Sequence, residues 1–485
     1  MSHPKMNAPS AAAVVAASMI GAGVYTTSGF TLGDLGTPHS VIAAWAIGGV
    51  IAICGALCYG ALAQQFTESG GEYLFLARAI HPAAGMMAGW VSLLAGFTGA
   101  MAFAATTFES FARGAGLESL DGLPDRSIAI ALVLLAAIVH SLGLKRGTHI
   151  QNGVVIAKLV LIGLFVLIAY STLSTWQGTT VAAATEAGAA TEAGTATEAG
   201  AATEAGAATP GGGWAFALVF ANALTWISLS YSGFNAAVYL TDEIDQPTRN
   251  VPRAMLFGTV GVAVLYLLLN IIFVYAPPAA EVAGQPNVAT LAAESVGRQI
   301  QSRGSDWGSW VGPLVRLAIL VGLGTSVLAL MQTGPRVYQK MAADRLLPRW
   351  LSGRGGGNSG AQRVAGPVES LPTIWIQAGL AIVVICISTL REQLDYLGFT
   401  LSICAALCGS LVFLFRNHGV HPVRVWGYPW VPIIYVLGTL GIATLTAIRV
   451  PLQATVGLGT LGIGIAAYLV SRFLWGSRAF GDRRN

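Results

Sequence analysis

Apolar residues recur along the chain in blocks of about 20, the length that carries a helix across a bilayer, and glycine, proline or charge returns between them. The blocks fall at 11–34, 40–65, 83–111, 127–142, 149–175, 214–240, 254–277, 313–339, 372–390, 394–415, 431–448 and 453–475. This pattern predicts an all-α, polytopic membrane fold with twelve transmembrane helices. An even number of spans returns both termini to one side, and the bias of Lys and Arg chooses which. With the N-terminus in the cytoplasm, that side collects 18 of the 26 Lys and Arg, the outside collects seven, and Lys158 lies within a span. The expected location is therefore the cytoplasmic (inner) membrane, multi-pass, with both termini cytoplasmic.

Composition rules out a soluble protein. A chain of 485 residues that is 54% hydrophobic and 10% charged carries more apolar surface than one soluble core can bury. No small-residue cleavage site follows the first apolar block, so no removable signal peptide is expected. The cysteines Cys54, Cys58, Cys386, Cys404 and Cys408 all lie in apolar blocks. Two pairs are spaced i,i+4 on one helix face, but a metal site needs more ligands and no histidine is near, so they are expected to pack.

Two blocks are interrupted at matching points. Met19-Ile20-Gly21-Ala22-Gly23-Val24-Tyr25 sits in the middle of the first block, and Ser230-Tyr231-Ser232-Gly233-Phe234-Asn235 sits at the same place five spans later. Glycine in either stretch alone fits close helix packing. The correspondence between halves points instead to unwound helices of a transporter built from inverted repeats, with its binding site at the two breaks.

The polar stretches divide into linkers and local chemistry. Segment 182–209 repeats Thr-Glu-Ala-Gly every six residues from Thr185, with four Glu and no Lys or Arg; it cannot bury enough surface to fold and is expected to be a disordered outer loop between the halves. On the cytoplasmic side lie Glu68-Ser69-Gly70-Gly71-Glu72-Tyr73, then Thr241 to Ala254 with two prolines and an Arg pair, then Thr333-Gly334-Pro335-Arg336 running on to Pro348. Asp242 or Glu243 against Arg336 could form a gate, or all three could be solvated surface charge. The spans hold no paired catalytic acids, no His-rich metal spacing and no nucleophile motif, so an enzyme is not expected.

These stretches together resemble a known family. IGAGVY at 20–25, ESGGEYLFLARA at 68–79, YSGFNAA at 231–237 with EIDQPTRNVPRA at 243–254, and TGPRVYQKMAADRLLP at 333–348 look like the amino acid-polyamine-organocation (APC) transporters, closest to the branch of cationic and broad-range amino acid permeases. The resemblance implies a LeuT-like 5+5 inverted repeat with broken helices 1 and 6: residues 1–176 as the first repeat, 177–213 as the low-complexity loop, 214–416 as the second repeat, and 417–485 as two peripheral helices and a tail. It implies a secondary active permease whose partners are an amino acid, protons and the lipid bilayer, with no nucleic acid, no cofactor and no metal. An amino acid exchanger, or a sensor that binds without transport, remains the alternative.

The resemblance also assigns residues. Amides at Ala22 and Gly23 would hold the substrate carboxylate, because half-helix N-termini present free N–H groups and a positive dipole end. Carbonyls at Ile20, Leu229, Ser230 and Ser232 would hold the ammonium. Asn235 departs from the pattern, which expects an acid in many relatives. Span three offers Phe97 to Phe103 as pocket wall, and Glu109 is expected to pair with Arg113 at i+4. With no acid beside either break, neutral amino acids are the expected substrates. Lys158 lies some nine residues into the fifth span, about 14 Å deep at 1.5 Å per residue, where a lysine is costly unless it faces a polar cavity. It could serve structure alone. As the family pattern suggests, its ammonium could instead stand between carbonyls near Ala17 and Ile20 and the Thr325-Ser326 pair, coupling transport to protons.

Overall fold

A computed structural model describes residues 5–66, 70–114, 122–142, 147–172, 212–343, 347, 371–417 and 424–475. The repeat segment 182–209 and residues Glu68 and Ser69 lie outside the described residues, as do the side chains of Asp242 and Arg336 and so the expected cytoplasmic gate. Among the described residues the fold is helical and has no strand; an isolated β-bridge joins Met6 to Ile244.

The first half runs through α1 (Ala8–Met19), α2 (Ala22–Leu35), α3 (Pro38–Leu62), α4 (Gly71–Ala79), α5 (Pro82–Val91), α6 (Ala100–Arg113), α7 (Ser127–Ser141) and α8 (Gly147–Ser171). The second half runs through α9 (Gly212–Ser230), α10 (Pro247–Tyr275), α11 (Ala279–Val282), α12 (Val288–Ser302), α13 (Val311–Ala343), α14 (Leu371–Ile387) and α15 (Leu390–Asn417), followed by α16 (Trp430–Arg449) and α17 (Pro451–Trp475). Eight described helical stretches are long and apolar enough to cross a membrane. The pair α1 and α2 qualifies as one more, bent by 44° at its break, and three shorter apolar helices lie at Ser127–Ser141, Ala157–Ser171 and Leu371–Ile387.

Proline and small polar residues set the helix starts. Pro38 follows Thr37, whose hydroxyl accepts the Ser40 amide at 3.3 Å, and Pro82 follows His81, whose ring accepts the Ala83 amide at 3.1 Å. Proline costs nothing at a first helical position because its missing N–H would have no partner there. Gly36, at φ 72°, closes α2 in the left-handed region. Between α5 and α6 the helix widens into a π-helical stretch, Ser92–Gly99. Such stretches are rare and tend to mark functional positions.

Large apolar residues such as Leu135, Leu167, Leu437 and Leu469 are exposed on the outside of the bundle, as suits a hydrocarbon surround. The interior is mainly apolar but also encloses polar side chains such as Thr27, Asn270 and Gln377. Trp45, Tyr231 and Tyr266 are fully buried and pack on one another at tilted or edge-to-face angles, with ring centroids 5.1–5.6 Å apart. Of the five cysteines, Cys54, Cys58, Cys404 and Cys408 are buried and Cys386 is exposed.

Candidate functional site

The first break is an inverse γ-turn. Ile20 has φ −76° and ψ 85°, and the Gly21 amide bonds to the Met19 carbonyl at 2.9 Å instead of continuing the helical ladder. Helix α2 then starts at Ala22 behind Gly21, with no side-chain cap. The first amides of a helix have no acceptor within it, so Ala22 and Gly23 lie where N–H groups and the positive dipole end are presented together.

At the second break α9 ends on Ser230. The Ser232 amide bonds to the Leu229 carbonyl at 2.9 Å, tightening the last turn, and Gly233 takes φ 101°, a conformation that favours glycine. A short 3-10 helix follows at Ala236–Tyr239.

The two breaks fit into each other. A Cβ built on Gly23 would fall 2.4 Å from Ser230 Oγ, and one built on Gly233 would fall 2.7 Å from the Ser18 carbonyl. Each glycine therefore admits a serine of the other broken span. Thr27 Oγ1 lies 3.1 Å from Ser230 Oγ. The Tyr266 hydroxyl, from α10, approaches the Met19 carbonyl at 2.6 Å and the Ser230 carbonyl at 3.1 Å, bridging the two breaks. Tyr266 was not singled out by sequence; a tyrosine within an apolar span, its hydroxyl needing a buried partner, was the available signal.

Lys158 is buried on α8, and its ammonium donates to the Ile20 carbonyl at 2.8 Å. Its stem runs along Gly322 of α13, where a Cβ would come 3.1 Å from Lys158 Cδ. Thr325 and Ser326 stand one turn further along α13, but their hydroxyls bond to their own helix, Thr325 to Val321 and Gly322 and Ser326 to Gly322. The structure thus brings Lys158, Ile20, Gly23 and Ser230 into one centre and leaves the Thr325-Ser326 pair turned back on its backbone.

Elsewhere in the bundle, Thr98 in the π-helical stretch faces the Tyr338 hydroxyl at 3.3 Å. On one side the Arg391 guanidinium lies 5.0 Å from the Phe30 ring and 5.2 Å from the Trp226 ring, and it bonds to Asp34. Glu109 pairs with Arg113 at 2.7 Å and also accepts the Arg126 and Ala129 amides. One expectation is corrected: an acid does reach the second break. Glu72, from α4, accepts a bond from Asn235 at 3.3 Å and one from Tyr59 at 2.7 Å. It escaped the sequence because 163 residues separate it from Asn235.

Helices broken at two mutually packed points, inside a bundle of apolar helices, define a polytopic membrane protein organised around irregular backbone at membrane depth, which is tolerated only where it is buried or lines a cavity. The amino acid permease family model matches residues 6–461, and the chain belongs to that family, within the APC superfamily. It is 24% identical over 465 residues to the serine/threonine exchanger SteT of Bacillus subtilis (strain 168), covering 93% of this chain and 92% of that one. It is 22% identical over 477 residues to the Asc-type amino acid transporter 1 of Mus musculus, covering 97% and 81%. It is 23% identical over 262 residues to the b(0,+)-type amino acid transporter 1 of Mus musculus, a match that takes in 54% of this chain and about half, 49%, of that transporter's length. These relatives are transporters and an exchanger, not enzymes.

Proposed function

We propose that the protein is a secondary amino acid permease of the cell membrane, with a LeuT-like 5+5 arrangement of twelve spans and both termini in the cytoplasm. The observation that carries this reading is the reciprocal seating of the breaks, Gly23 on Ser230 and Gly233 on Ser18, joined by Tyr266. Two interrupted spans meeting at their midpoints are what an inverted repeat produces, residues 1–176 against 214–416, with 417–485 peripheral. In this scheme the amides of Ala22 and Gly23 hold the substrate carboxylate, and the carbonyls of Ile20, Leu229, Ser230 and Ser232 face its ammonium. Because Ile20 already accepts from Lys158 and Ser230 from Tyr266, those two carbonyls offer only their second lone pair.

Lys158 is the proposed coupling group. Protonated, it ties span five to the first break through Ile20; loss of the proton removes the charge that strengthens this bond and loosens the first half-helix. A second reading is favoured by the match to an exchanger over 93% of the chain: entry of one amino acid drives exit of another with no net proton movement. The deciding experiment is uptake of labelled amino acids into proteoliposomes, with an inward proton gradient in one arm and preloaded unlabelled amino acid in the other. Stimulation by the gradient alone supports symport, and stimulation by preloading alone supports exchange. Saturable binding with no uptake in either arm refutes transport and leaves a sensor.

A further inference from the structure

Glu72 is a carboxylic acid in an unusual place for a loop residue. It lies in the first turn of α4, between spans two and three, and is 8% exposed. Both of its side-chain bonds, from the Tyr59 hydroxyl at 2.7 Å and the Asn235 amide at 3.3 Å, arrive at the same oxygen, Oε1. Among the described residues, no side-chain bond reaches the other oxygen, Oε2. Among the described residues no Lys or Arg bonds to it. The titratable groups facing it are Tyr59 from α3, Tyr239 after the second break, Cys404 and Cys408 from α15, and Tyr435 from α16. Phenols and thiols are neutral at neutral pH on their ordinary values, so among the described residues no counter-charge bonds to it. Burial pushes the Glu72 carboxyl above the usual carboxylate range, against a smaller downward pull from the bonds of Tyr59 and Asn235.

The position ties this acid to the moving part. Asn235 ends the second break, and Gly71, at φ 59°, presses α4 onto Tyr239 so closely that a Cβ there would fall 2.2 Å from its ring. Phe234 packs on Tyr59 at 5.4 Å. If the segment after the break swings away, Glu72 gains water.

We propose that Glu72 is a second proton-binding site, holding a proton while the cytoplasmic side is closed over it and giving that proton to cytoplasmic water when the segment after the second break moves off. This rests on the transport reading above and adds a release site to it. The step is one proton transfer from the carboxyl to water. The sign follows from linkage: the buried, closed form has the higher proton affinity, so protonation favours closure and a rise in cytoplasmic pH favours opening.

The test measures amino acid uptake by the full-length chain, in proteoliposomes of fixed orientation, against lumenal pH on the cytoplasmic side. In the wild type, uptake is expected to rise as the lumen is taken from acid through neutral pH, the direction that a higher proton affinity of the closed form gives. Glu72→Gln, which copies the neutral acid, should bind substrate, carry it at the slow low-pH rate and ignore lumenal pH. Tyr59→Phe removes a donor that favours the charged form, and should move the inflection to higher pH. An unchanged pH response in a folded Glu72→Gln protein, or an unmoved inflection in Tyr59→Phe, overturns the inference and leaves the transport reading standing. A wild type that binds but carries nothing at any pH overturns the transport reading, and this inference with it.

Discussion

Substituting Gly23 tests the centre most directly. A Cβ there would lie 2.4 Å from Ser230 Oγ and 3.0 Å from Ser230 Cα and Cβ, against about 3.5–4.0 Å for unstrained carbon contacts. The Oγ can rotate away, but Cα and Cβ belong to the end of α9 and cannot. The two broken spans must therefore separate by about half an ångström for alanine, and by more for valine, whose two methyls double the intrusion. Overpacking of this size costs about 1–3 kcal/mol. The strain falls on the junction of the two breaks, so Gly23→Ala is expected to fold and insert with a lowered thermal midpoint and weakened substrate binding. Gly23→Val should bind no substrate. The assay is equilibrium binding of labelled amino acid to purified protein, with thermal unfolding of the same sample as the control for folding. Undiminished affinity in a well-folded Gly23→Val protein would refute the proposed site, because the glycine would then serve helix packing alone.

Lys158→Ala should abolish the response of uptake to a proton gradient while substrate binding partly survives; wild-type pH dependence in that variant, or a sodium requirement in the parent, would reject Lys158 as the coupling group. Tyr266→Phe leaves the Met19 and Ser230 carbonyls without their shared donor, and should lower stability by about 1–3 kcal/mol, read as a fall in the thermal midpoint in detergent; an unchanged midpoint would mean that the bridge contributes nothing. In competition assays, amino acid esters and decarboxylated amines should displace labelled substrate poorly, since each lacks one of the two recognised ends. Equal competition by the amines would favour a polyamine-type substrate.

The breaks were legible in the sequence because glycine and serine interrupt runs where leucine and isoleucine would continue a helix, and because the interruption occurs twice. Lys158 was legible for the same reason, as a charge far inside an apolar block. Its contact with Ile20 followed from the family pattern rather than from spacing. What could not be read were pairings between distant parts of the chain. Tyr266 looks like one aromatic among many in span seven until Met19 and Ser230 are folded against it, and Glu72 looks like a loop acid until Asn235 reaches it. Thr325 and Ser326 show the converse limit: hydroxyls in a helix readily bond to the carbonyl one turn back, and nothing in their position along the chain tells whether they do.

The contact between Gly23 and Ser230 has a further consequence, for the history of the sequence. A side chain added at one position must be met by room at the other, so the two sites are a single unit for selection although 206 residues lie between them. Drift in either half is filtered by its counterpart. In related chains that carry a larger residue at the position of Gly23, the residue facing it is expected to have shrunk to match, and the two halves are expected to have diverged everywhere sooner than at this junction.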